Sequence, residues 1–224
     1  MTDLRPWIQK DHLRLILLSI FYLVGLLGHL FLPTRELMLW MTPGFLGIFG
    51  ILISIPYFQS GGRQFIFWLG WTYLLTFSLE TLGVATGAIF GSYAYGPVLG
   101  WQVFQVPIVI GFNWTLVVLG AIELSGLLPL GGIQKQAWFI ILFTAIISVG
   151  FDFILEPLAM GLDYWDWAEN IIPLQNYAAW GLIATLGAGL WVVIKPKTTG
   201  YLAVGYLIIQ ILFFVGLRLG GLGV

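Results

Sequence analysis

The chain has no cysteine, only two histidines (His12 and His29), and nine Lys and Arg against ten Asp and Glu in 224 residues. Each scarcity excludes a chemistry. Without cysteine there is no disulfide, no thiolate nucleophile and no iron–sulfur ligand set, and two histidines are too few for a histidine-rich metal site or a non-haem di-iron oxygenase. A net charge of −1 leaves no basic surface with which to hold nucleic acid. Charged residues make up 8% and hydrophobic residues 59% of the chain, whereas soluble domains carry about 25% charge. The chain is therefore read as an integral membrane protein. Its first apolar run is long, is followed by others and lacks a small-residue cleavage pattern, so it reads as an anchor, not a removable signal.

Apolar runs near the 20 residues that span about 30 Å of hydrocarbon fall at roughly 13–32, 38–57, 64–82, 103–124, 137–160, 174–194 and 199–219. Proline, glycine and polar residues punctuate them. The expected fold is an all-α bundle of seven transmembrane helices forming a single transmembrane domain over 1–224. With the N-terminus in the cytoplasm, Arg5, Lys10, Arg14, Arg63, Lys135, Lys195 and Lys197 lie inside and only Arg35 and Arg218 outside. This follows the positive-inside rule and leaves the C-terminus outside. The connections 83–102 and 161–173 then face outward and carry no Lys or Arg.

Against that apolar background the stretch from Asp152 to Asn176 stands out, with Asp152, Glu156, Asp163, Asp166 and Glu169 in 25 positions. Asp152 and Glu156 are four apart and share a helix face, about 6 Å apart along the axis. A carboxylate in a membrane helix costs roughly 2.5–3.5 kcal/mol on insertion scales, and intramembrane acids mark functional sites by default. At about 1.5 Å per residue, Glu80 and Asp152 lie about 24 Å and 22 Å from the inner face, and Asn176 opens its helix at the outer interface. Asn113 lies near mid-membrane. Glu123 alone sits towards the cytoplasmic end. The acids of several helices thus converge on one leaflet.

Blander readings compete. Asp152 and Glu156 could be satisfied by neighbours for packing alone. Gly83, Gly87 and Gly91 form a small-residue packing face if helical. Tyr93, Tyr95, Trp165 and Trp167 could belong to an interfacial aromatic belt, to which Trp7, Trp40, Trp68, Trp71 and Trp138 are assigned as belt or packing residues. His29 reads as a packed or interfacial histidine. Aromatic rings beside carboxylates, however, also suit a transient carbocation, which ring quadrupoles attract. A retinal protein would need a mid-membrane lysine, and Lys10, Lys135, Lys195 and Lys197 all fall at helix ends or in loops. A transporter would show paired broken helices in related halves, and no internal repeat is evident.

The pattern Glu80-x-x-Gly83-x-x-x-Gly87-x-x-x-Gly91-x-Tyr93-x-Tyr95, then Pro107 and Trp114, Asp152-x-x-x-Glu156-Pro157, Trp165-x-Trp167 and Asn176-x-x-x-Trp180 resembles the membrane carotenoid hydratases of the CruF type. These include γ-carotene 1′-hydratases and bisanhydrobacterioruberin hydratases. The resemblance covers about half the chain. It implies addition of water across the terminal 1,2 double bond of a linear ψ-end C40 or C50 carotenoid, giving a tertiary alcohol without cofactor or metal. Asp152, Glu80, Glu156, Asp163 and Asp166 are the expected proton-handling residues. Tyr93, Tyr95, Asn113, Trp114, Trp165, Trp167, Asn176 and Trp180 are expected to bind substrate. Carotenoid, water, membrane lipid and other carotenoid enzymes are the expected partners, and the inner (plasma) membrane the location. A cofactor-free lycopene-type cyclase and a non-enzymatic lipid or pigment carrier are the competing readings.

Overall fold

The computed structural model describes residues 5–198 and 200–222, with side chains from residue 11 onward. The side chains of Arg5, Trp7 and Lys10, and the whole of Thr199, lie outside the described residues. Among the described residues six helices are long and apolar enough to cross a membrane: α1 (Arg5–Leu30), α2 (Leu32–Thr86), α3 (Ile108–Leu127), α4 (Ala137–Gly161), α5 (Leu174–Ile194) and α6 (Leu202–Leu219). Helix is the dictated local structure, because in hydrocarbon every backbone N–H and C=O must be satisfied within its own segment.

The expected spans 38–57 and 64–82 fall together inside α2. Its 55 residues would reach about 82 Å at 1.5 Å per residue, more than twice the hydrocarbon thickness of about 30 Å. The helix is interrupted at Gly62, whose φ of 53° and ψ of −141° belong to a region essentially reserved for glycine. The segments 32–61 and 63–86 lie on either side of this break.

Three sequence expectations are revised here. The fold is mostly helical but not purely so, since two short antiparallel pairs occupy the connections: β1 (Tyr93–Tyr95) with β4 (Trp165–Trp167), and β2 (Gln102–Val103) with β3 (Val106–Pro107). The helix expected from 103 starts at 108, because Phe104 and Gln105 at φ 52° and 65° turn a tight hairpin between β2 and β3. The glycine face proposed for 83–91 does not continue as helix. Gly87, at φ 67°, ends α2 in the left-handed conformation, its N–H returning to the Gly83 carbonyl at 2.7 Å, as a helix C-cap does.

Helix α3 is the centre of the bundle. It is buried on nearly every side, as a helix apolar all round must be, with α2, α4 and α6 packed on it while α5 lies along α4 and α1 along α6. Trp40 and Trp138 are exposed. Trp68 is fully buried, its Nε1 donating to the Gly187 carbonyl at 2.8 Å.

Candidate active site

The site forms where the 87–107 and 162–173 connections close one end of the bundle. Antiparallel pairing sets Tyr93 opposite Trp167, Ala94 opposite Asp166 and Tyr95 opposite Trp165. Side chains alternate across a strand pair, so this register gathers four aromatic rings on one face and sends Ala94 and Asp166 to the other. The rings meet in pairs, Tyr93 with Trp167 at 4.9 Å between centroids and Tyr95 with Trp165 at 5.7 Å.

Beneath these rings lie three buried carboxylates. Asp152 and Glu156 project from one face of α4 as their spacing requires, and Glu80 comes from the last turns of α2. Glu156 Oε2 accepts from Trp165 Nε1 at 2.9 Å and Trp167 Nε1 at 2.6 Å. The Asn176 amide, in the first turn of α5, divides its two N–H groups between Asp152 Oδ2 at 2.7 Å and Glu156 Oε1 at 2.9 Å. Glu80 Oε2 accepts from the hydroxyls of Tyr93 and of Tyr95, the latter at 2.7 Å. Burial, and then the neighbouring Glu80 charge, push both phenols well above their usual range, so they stay protonated and remain donors.

The inventory is asymmetric. Glu156 receives three N–H donors. Asp152, which is wholly buried, receives one; its Oδ1 takes no N–H or hydroxyl donor among the described residues, and its carboxyl lies within hydrogen-bonding reach of the Glu156 carboxyl. A bare carboxyl oxygen away from water is the position at which a proton can be carried.

Below the acids, Trp114 of α3 stacks on Trp180 of α5 with centroids 3.6 Å apart and planes 15° apart, and Phe90 packs against Trp180 at 5.3 Å. Carboxylates and rings together enclose a cavity of about 10 Å³ lined by Glu80, Glu156, Asn176 and the aromatic walls, about the room of one water molecule. Trp165 is also part of the wall of a second, apolar cavity of about 170 Å³ that extends between α1, α2 and α6.

Eleven residues expected from sequence are thereby placed around one centre: Glu80, Asp152, Glu156, Asn176, Tyr93, Tyr95, Trp165, Trp167, Trp114 and Trp180 at the small cavity or its hydrogen-bond network, and Asn113 one cavity away. Asn113 Oδ1 accepts from the Tyr206 hydroxyl at 2.8 Å and lines the larger cavity. Asp163 and Asp166 are exposed and stand apart from the buried acids, Asp166 because the strand register turns it away and Asp163 because it sits in the turn before β4. Phe90 was not singled out from sequence. An isolated phenylalanine in an apolar chain carries no signal of its own. Glu123 lies at the opposite end of the bundle, accepting from Tyr57 Oη at 2.6 Å.

Fold and site together define a multi-pass membrane protein with a buried acid and aromatic centre. Residues 42–220, far more than half of the chain and including every residue of that centre, match the profile of carotenoid biosynthesis proteins. The chain belongs to this family, and its role lies in carotenoid biosynthesis. Comparison with curated proteins and with solved structures returned no significant match.

Proposed function

We propose that the protein is a carotenoid 1,2-hydratase, adding water to the terminal double bond of a linear ψ-end carotenoid. The observation that carries this reading is the buried Asp152–Asn176–Glu156 bridge, two carboxyls in reach of each other with one oxygen that takes no N–H or hydroxyl donor, beside an aromatic enclosure with room for a single water. An alkene is a very weak base and demands a neutral carboxylic acid held against it. The Asp152–Glu156 pair supplies a proton to C2 and the C1=C2 π bond breaks. The tertiary cation at C1 is stabilised by the Tyr93, Tyr95, Trp165 and Trp167 rings. Water then forms the C1–O bond and yields a proton to Glu80, which lines the same cavity, and that proton restores the pair. One water is consumed, and no redox step is involved.

Asn176 orients both acids through its two N–H groups, and a neutral amide is too weak a base to take the proton itself. The apolar cavity gives a hydrocarbon chain end a route from the lipid face to Trp165. Room for one water favours hydration over a cyclase, in which water at the cation would divert the product.

The same reading assigns seven crossings, with 32–61 and 63–86 as separate spans, the N-terminus cytoplasmic, the C-terminus outside and the site at the outer leaflet of the inner membrane. The excess of Lys and Arg in the connections at the opposite end of the bundle supports this orientation. Asp163 and Asp166, exposed above the site, have no assigned step.

Expression in cells that accumulate lycopene, followed by mass analysis, tests the function. A product heavier by one water is expected. An isomer of unchanged mass would establish a cyclase, and unchanged lycopene a carrier. Asp152→Asn should lower turnover by about 10²–10⁴-fold, the contribution of a positioned acid, with the protein still folded. Near-normal turnover would make Asp152 a packing residue.

A further inference from the structure

The larger cavity has a property that a hydrocarbon channel does not require. Its walls are apolar, and Phe21, Val24 and Met41 among them are also about half exposed on the outer surface, at 50%, 55% and 47%. The cavity therefore opens sideways to lipid through the gap between α1 and α2. Its inner part is different. Gln210 Nε2 belongs to a cavity-lining side chain, 1% exposed, and has no hydrogen-bond partner among the described residues, while the hydroxyl of Tyr22, 7% exposed on the same wall, has the Tyr206 hydroxyl as its neighbour and keeps lone pairs free to accept. They stand beside the Tyr206–Asn113 hydrogen bond: Gln210 is one turn along α6 from Tyr206, and the Tyr22 and Tyr206 ring centroids are 6.3 Å apart. His29, two turns along α1 from Tyr22, adds a second unpartnered atom, Nε2, while its Nδ1 lies 2.7 Å from the Gly25 carbonyl.

Buried polar atoms in native proteins are overwhelmingly paired. Two unpaired ones lining a single apolar, lipid-open cavity mark the polar groups by which ligand sites fix orientation. We propose that this cavity is the seat of an isoprenoid chain end bearing a hydroxyl group, with Gln210 Nε2 donating to the hydroxyl oxygen and Tyr22 Oη its second hydrogen-bonding partner. If the proposed hydration is correct, this is where the tertiary alcohol product rests, across Trp165 from the acids, before it leaves through the α1–α2 gap. A hydrocarbon end fills the same space but leaves Gln210 Nε2 unpaired and the Tyr22 oxygen without the ligand's hydroxyl, so the cavity distinguishes product from substrate by one or two hydrogen bonds.

The test measures binding and not turnover, with the full chain in lipid nanodiscs and two radiolabelled C20 isoprenoids, a tertiary alcohol and the hydrocarbon that lacks the hydroxyl. The wild type should hold the alcohol about tenfold more tightly, the effect of about one net hydrogen bond. Gln210→Leu and, separately, Tyr22→Phe should each bring alcohol binding toward that of the hydrocarbon and leave the hydrocarbon unchanged. Gly25→Leu should weaken both ligands, because an added Cβ there meets only Phe213, at 3.6 Å, and a longer side chain grows into the cavity. Tyr22→Phe keeps the ring, so the test survives a failure of Gln210→Leu to fold. Equal affinity of the wild type for both ligands, or a preference that persists in Tyr22→Phe and Gln210→Leu alike, overturns the proposal. Asp152→Asn should keep the preference intact. A protein that prefers the alcohol yet forms no hydrated carotenoid would sink the hydratase reading and leave this one standing.

Discussion

Replacing Trp167 by Phe separates two roles that the indole combines. Phenylalanine keeps an aromatic face toward the site but deletes the N–H that reaches Glu156 Oε2 at 2.6 Å. A hydrogen bond to a charged group contributes about 1.5–3 kcal/mol, and about 1.4 kcal/mol is a factor of ten. Turnover of lycopene by Trp167→Phe should therefore fall by about 10-fold to about 100-fold. Trp165→Phe, which loses a longer bond of 2.9 Å to the same oxygen, should lie at the lower end. Leucine removes the ring as well, and loss of its attraction for the cation, about 0.5–2 kcal/mol, adds a further loss. In either single variant one indole still serves Oε2. The double Phe variant leaves that buried oxygen without a donor, so its loss should exceed the product of the single losses by about 1 kcal/mol of coupling. The assay is the initial rate of hydrated product in membranes with matched protein content, with thermal melts to separate folding from chemistry. Wild-type rates in both Phe variants, or a double variant equal to the product of the singles, would refute the shared-oxygen argument. Equal rates for Phe and Leu would remove the ring's part in holding the cation.

Three further outcomes follow. Tyr95→Phe removes the 2.7 Å donor to Glu80 while Tyr93 retains its own, and should slow hydration about tenfold. In the wild type, both phenols are pushed up by burial and by Glu80, so activity should not decline through their ionisation below about pH 10, which a pH–rate profile checks. Glu123→Gln, at the far end of the bundle, should leave turnover within about twofold because Tyr57 still finds a carbonyl acceptor, with a melting change corresponding to under about 1 kcal/mol. A large loss of activity there would contradict the location of the site. Gly96→Ala places a Cβ onto the Asp163 carbonyl oxygen and should cost about 1–3 kcal/mol of overpacking. It should lower melting temperature and turnover together, because the β1–β4 register that presents the four rings is disturbed.

Sequence alone determined what depends on composition and on local spacing. Scarce charge and long apolar runs establish a membrane protein, because hydrocarbon tolerates little else. Asp152 and Glu156 are cofacial because 3.6 residues make a helical turn, and that relation needs no other part of the chain. Tertiary structure decided what depends on contacts between distant segments. The sequence Asp163-Tyr-Trp-Asp166-Trp167 reads as a cluster of acids and rings, but pairing with Tyr93–Tyr95, some 70 residues earlier, sends the tryptophans inward and Asp166 outward. A one-residue change of register would reverse this, and strands of three residues carry no periodicity long enough to reveal it. The partnership of Glu156 with two indoles, the bridge made by Asn176, and the meeting of the unpartnered Gln210 with Tyr22 in the lateral cavity likewise arise only when separate helices pack. Hydrogen-bond partners are chosen by position in space, and position is set by the whole bundle.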